Sequence, residues 1–233
     1  MNIPTDPVTE TAIAAQEIAK ATGKVVDASR EAGGFIAKVI AGPLEQGMGI
    51  FEDRLKYMRW ERQVRFIQRS NAVMNELGLI QPTKQVPLKL AIPLFVGASL
   101  EDDDGLQDRW VNLLVNTVNA ESGVEIRRVH LEILEQIGSV EAQILDSIYD
   151  LPFDQSRTGG VIVSGMPISV RFPTTDSSEY ESPSGEIELA LANLARLGCV
   201  LPIRLYGSGE SFGRVNQTIL GHSFVRACRI QRP

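Results

Sequence analysis

From Ile50 to Leu77 the apolar positions return with helical spacing. Ile50, Tyr57, Trp60, Val64, Ile67 and Met74 fall on one side at about 100° per residue, and Arg54, Arg62, Arg65 and Arg69 gather on another. Gly78 is placed to end this helix as its C′ residue. Upstream, Thr9 can cap an Ala-rich helix reaching about Ala32, with Ala12, Ala15, Ile18, Ala19 and a Val on one thinly apolar side. Gly33 and Gly34 break it. FIAKVIAGPLEQGMGIF (35–51) follows, interrupted by Lys38 and Glu45, and reads as a soluble helix-turn-helix corner made flexible by Gly and Pro. Its small residues also leave open a peripheral membrane contact through 33–51.

The stretch 80–100 carries Pro82, Pro87 and Pro93. PLKLAIPLFVGAS is read as one or two short buried helices with Pro in their first turns. Ser99, followed by Glu101 and Asp102, resembles a capping box, so the acids at 101–104 are explained as a helix start. The next helix should bury Leu106, Trp110, Leu113, Leu114 and Thr117, and a shorter one over 128–137 should bury Leu131, Leu134 and Ile137.

After residue 139 the pattern changes. Ser139 is placed to cap the helix VEAQILDSIYDL. Strand-like runs Val161–Ser164 and Ile168–Phe172 flank Gly165-Met166-Pro167, and 173–185 has the composition of a mobile loop. A helix over Glu186–Leu197 ends at Gly198. A hairpin turns at 207–210, and Thr218 caps a last helix, ILGHSFVRACRI. The fold class expected is mainly α: an N-terminal segment (1–48), a central helical core (49–138) and a winged-helix-like α+β module (139–233).

Charge narrows the functions this order suggests. The chain carries a formal charge of −6, and residues 140–233 hold eight Arg and no Lys against ten acids. The helix that would read DNA begins with Glu186 and Glu188, which repel phosphates, and Asn193 alone is no code. Nucleic acid is therefore not the expected partner. Two cysteines, Cys199 and Cys228, without a CxxC pair, read as buried thiols of a reducing, cytoplasmic setting. The N-terminus shows no secretory pattern, and no run is long enough for a standard membrane span.

Catalytic chemistry finds little support. GSGESFG (207–213) lacks the Lys of a phosphate loop and lies between predicted strands. Ser164 sits in a predicted hairpin without the G-x-S-x-G elbow. His130 is read as a helix-surface group and His222 as a side chain of the last helix, neither with an evident partner. EDDDGLQDRWVN does not match a calcium loop. No enzyme activity, cofactor or metal is expected. The Arg stripe is read as pairing with acids elsewhere, the run at 101–104 being the distant partner to test.

Three motifs suggest a family: D-x-L-x-Y-x-R-x-x-R (Asp53, Leu55, Tyr57, Arg59, Arg62), P-L-x-L-x-x-P (Pro87 to Pro93) and A-S-x-E-x-D-x-x-L-Q-D-x-W-x-N-L-L (Ala98 to Leu114). They resemble the abortive infection alpha family, and the likeness continues weakly through ILEQIGSVEAQILDSIYD and LANLARLGCV. The resemblance implies a bacterial anti-phage protein that arrests or kills the infected cell, and carries over no catalytic residue. Asp108, Trp110 and Asn112 are candidate interaction residues, as are Arg54, Arg62, Arg65 and Arg69. Asp108 and Asn112 lie one turn apart on one helix face. The expected mode is contact with a protein partner or a second copy, with the inner membrane as an optional surface. The alternatives are a structural subunit of a phage-like or secretion assembly and a winged-helix transcriptional regulator.

Overall fold

The computed structural model describes residues 34–41, 60–165, 167–173, 183, 185–204 and 210–231. The expected Ala-rich helix over 9–32, the whole of the 42–59 stretch including Arg54, the polar loop at 174–182 and the hairpin turn at 205–209 lie outside them. Within them the chain is mainly helical. Residues 34–39 are helical and lead into β1 (Ile40–Ala41), which pairs in parallel with β2 (Val86–Pro87). Phe35, Ile36, Val39 and Ile40 are buried in the core. This part of the 33–51 corner therefore spends its apolar side chains inside the protein.

Helix α1 (Trp60–Glu76) ends as its glycine requires. Gly78 has φ of 71°, and the bonds Gly78 N–H to Asn75 C=O (2.9 Å) and Leu79 N–H to Met74 C=O (2.8 Å) form a Schellman closure. Its buried face is Gln63, Phe66, Ile67, Ser70 and Met74, leaving Val64 half-exposed. The face is turned toward Phe66 because that ring meets Phe95 edge-on at 5.6 Å. Phe95 belongs to α2 (Leu88–Leu100), a single helix with Pro93 in its interior rather than its first turn. Burial of Ala91, Leu94, Phe95 and Ala98 on either side offsets the missing N–H.

Ser99 does not cap a helix. It lies buried in the last turn of α2, where its hydroxyl donates to Val96 C=O at 2.9 Å. The following helix, α3 (Asp104–Val118), starts later, with the Asp103 carboxylate accepting from Leu106 N–H at 2.9 Å. A carboxylate at the positive helix end is the stronger cap, so the acids do start the helix, from a different position.

Helix α3 is the post of the fold. Leu106, Trp110, Leu113, Leu114 and Thr117 are buried as the spacing predicts, and Val111, Val115, Asn116 and Val118 are buried too. It packs against α1, α2, α4 (Arg128–Leu134), α5 (Ser139–Tyr149) and α8 (Ile219–Ala227). Ser139 is the first residue of α5 rather than its cap; Gly138 precedes the helix, and its N–H donates to the Glu141 carboxylate at 3.0 Å.

Beyond α5 come α6 (Phe153–Gly159), the antiparallel strands β3 (Ile162–Ser164) and β4 (Ser169–Arg171), and α7 (Gly185–Arg196). Gly198, φ 72°, closes α7 by the same two bonds that end α1. Strands β5 (Val200–Arg204) and β6 (Glu210–Gln217) pair antiparallel, and a Val161–Val215 bridge sets β3 beside β6. Thr218 caps α8, its hydroxyl accepting from Gly221 N–H at 2.9 Å. One continuous core runs from Phe35 to Cys228 across residue 139.

Helices α2 and α3 approach closely: a Cβ on Gly97 would collide with the Trp110 benzo ring. Gly97→Ala is expected to destabilise the protein by about 1–3 kcal/mol, the cost of overpacking, measured as a lowered urea midpoint at unchanged slope.

Candidate functional site

The acids at 101–108 meet the Arg stripe of α1. Arg62 lies 3.3 Å from Asp102 and 3.8 Å from Asp104, Arg65 lies 2.9 Å from Asp104, and Arg69 lies 3.1 Å from Asp108. Arg69 also donates to the Gln107 amide oxygen at 3.3 Å. This is an ionic clasp between α1 and the start of α3. Its members are partly exposed, so each pair contributes about 0.2–1 kcal/mol and weakens with salt.

The next positions of α3 face elsewhere. Trp110 is buried against Gly97 and belongs to the core. The Asn112 amide donates to Cys228 C=O at 2.8 Å, and the Asn116 amide donates to Ala227 C=O at 2.9 Å and Arg229 C=O at 2.8 Å. These two asparagines, one turn apart, satisfy the orphan carbonyls at the end of α8 and fasten it to α3. The pattern did not single out Asn116; its signal was an amide within the apolar run LLVNTV.

Asp108 and Asn112 do share one feature, an open groove of about 590 Å³ between α3, α5 and the segment after α8. Across it, Arg109 and Asp146 pair at 2.5 Å, and Arg229 reaches Asp146 at 3.3 Å and Asp150 at 2.8 Å. Cys228 also lines the groove, but burial pushes its thiol up to about 12. It is therefore protonated at neutral pH and is no nucleophile. Cys199 is likewise buried and raised to about 12 by burial. Neither cysteine is in a disulfide.

A second groove, of about 620 Å³, lies between residues 123–130 and the outer side of α8. His130 forms part of it and is not a surface group: it is 2% exposed, its Nδ1 accepts from Arg127 N–H at 3.2 Å, and its Nε2 lies 3.0 Å from Ser223 Oγ. The sequence hid this because Ser223 is 93 residues away. With Nδ1 accepting, the hydrogen sits on Nε2 and is donated to Ser223. His130 in this tautomer cannot take the Ser223 proton, as a serine-activating base must. His222 is exposed, with its ring 4.6 Å from Phe153. Ser164 ends β3.

Among the described residues no group of three or more His, Cys, Asp or Glu is arranged to hold a metal, and no helix is long and apolar enough to cross a membrane. Of the described candidate side chains, Arg62, Arg65, Arg69, Asp108 and Asn112 fasten helices together and Trp110 fills the core. The abortive infection alpha family profile matches residues 61–228, from the second residue of α1 to the end of α8. The chain belongs to the abortive infection alpha family. Neither a curated protein nor a solved structure matches it. In this family member the Trp-bearing motif is the stretch that builds α3: its acids start the helix and grip α1, its Trp fills the core, and its Asn holds α8.

Removing the asparagine tie should cost more than breaking the clasp. Asn116→Ala takes away two buried amide bonds and is expected to destabilise by about 2–3 kcal/mol. Arg65→Gln should cost under about 1 kcal/mol and lose that effect at high salt. Urea unfolding of both variants at low and high ionic strength measures the contrast.

Proposed function

We propose that this protein is a non-enzymatic anti-phage protein of the abortive infection type, acting through protein contacts made by its C-terminal half. Family membership supports the biological setting. The observation that carries the mode of action is where polar chemistry and apolar surface lie. The clasp, the asparagine tie and the His130–Ser223 pair are consumed in holding helices together, whereas of the five large aliphatics left exposed among the described residues three lie in the C-terminal half, Leu189 on α7, Leu201 on β5 and Ile219 on α8 (73%, 58% and 66% exposed), the other two being Ile80 and Leu100. Large aliphatics held in water by rigid elements suit contact with another protein.

The order α5, α6, β3, β4, α7, β5, β6, α8, with Val161 just before β3 bridged to Val215 of β6, supports reading residues 139–231 as a winged-helix-like module. Features of α7 support its use on protein rather than DNA. Glu186 and Glu188 occupy the first turn, and Asn193 is engaged with Gln136 C=O at 2.9 Å and the Glu141 carboxylate at 3.1 Å. Arg196 is held by Gln136 at 3.0 Å. A base-reading helix needs such groups free and its first turn uncharged or basic.

The test is induced expression in a bacterium challenged with phage. Cells carrying the wild-type protein should stop growing and release fewer phage. Leu189→Lys, an exposed change that leaves the core intact, should restore growth and phage yield. Normal phage yield with the wild-type protein, or undiminished protection by Leu189→Lys, counts against the proposal.

A further inference from the structure

We infer that His130 is a pH-sensitive latch: protonating its imidazole releases α8 from α4 and opens the groove between them. The geometry carries this. His130 stands in the first turn of α4 with both ring nitrogens engaged. Nδ1 accepts the Arg127 N–H, one of the orphan donors at the start of a helix of only seven residues, and Nε2–H reaches Ser223 in the middle of α8. One neutral ring therefore caps one helix and ties it to another. An imidazolium cannot fill this place, because a proton on Nδ1 would point at the Arg127 N–H.

The surroundings offer the charged ring no compensation. From the 123–127 segment it faces Arg127 and Glu125, but that carboxylate is already bonded to the Arg127 guanidinium at 2.9 Å. On its own helix, Arg128 and Glu132 pair with each other at 2.8 Å. From α8 the groove receives His222 and Arg226, which add no negative charge. The buried side chains of α2 and α3 carry no ionisable group. Burial first, and then the Arg127 charge, lower the His130 pKa from its ordinary value, with Glu125 opposing.

The sign follows. A histidine whose folded-state pKa lies below the unfolded value of about 6.5 contributes its full stabilisation above that pH, and the contribution is lost as pH falls toward the folded-state pKa. Acidification thus loosens the first turn of α4 and the inner face of α8, where Phe224, Val225 and Ala227 are buried. Apolar surface hidden at neutral pH becomes available. The inference concerns a conformational equilibrium and holds whether or not the protein acts in defence.

Hydrogen exchange on the full chain, corrected for intrinsic rates and compared between about pH 7.5 and about pH 5.5, reads the latch directly. Protection over 128–134 and 219–227 should fall by up to about tenfold per pH unit between about pH 6.5 and the folded-state pKa and level off below it, while that of 144–149 changes less. In His130→Asn, whose amide oxygen can still accept from Arg127 N–H without titrating, this dependence should vanish. Equal pH dependence in the variant, or none in the wild type, overturns the inference. Should the variant not fold, nitrogen NMR of the wild-type ring decides. The Nε2–H tautomer titrating below about 6.5 upholds the latch, and an Nδ1–H tautomer or a pKa at or above that value overturns it.

Discussion

Helix α3 has water on one edge and protein everywhere else, and that constraint organises the molecule. From Leu113 to Val118 every residue is buried. A helix apolar on nearly all sides must be surrounded to be stable, so α1, α2, α4, α5 and α8 are the walls that α3 demands. The polar residues it does carry are placed where walls begin or end. Asp103 caps its start, and Asp104 there meets Arg62 and Arg65 of α1. Asn112 and Asn116 meet the terminal carbonyls of α8. The connection between the central helices and the last helix is therefore made of hydrogen bonds to backbone at the rim of an apolar core, where satisfying buried carbonyls matters more than any one contact.

Much of this was legible in the sequence because it depends on local rules. The buried positions of α3, the glycine closures at Gly78 and Gly198, the Thr218 cap and the strand pairs after residue 160 follow from spacing and from what glycine and threonine do at helix ends. The Arg stripe and its acidic counterpart were legible as two complementary patterns. What was not legible depends on neighbours far along the chain. Ser99 has the residues of a capping box, yet α2 continues through it, because the buried face of that helix runs on past the signal. His130 has the polarity of a surface group, and the Arg127 N–H together with Ser223 on α8 makes its burial tolerable. Asn116 is an unremarkable amide until the end of α8 is set against it.

The candidate site changes meaning in the same way. Arg62, Arg65, Arg69, Asp108, Trp110 and Asn112 concentrate charge and aromatic surface in a short motif, as binding sites do. Each has an architectural partner instead. A family pattern of this kind meets the demands of one buried helix, and among the described residues large aliphatics stay exposed at Ile80 and Leu100 as well as at Leu189, Leu201 and Ile219.

By joining the central helices to the C-terminal elements, α3 should make them a single cooperative unit. Native-state hydrogen exchange in increasing urea, followed at Val115 in α3 and Leu194 in α7, tests this most directly. Both residues are fully buried. The two amides should open with the same free energy and the same urea dependence, in one global event. Opening of Leu194 at markedly lower free energy, with Val115 still protected, would show two independent units and contradict the role given to α3.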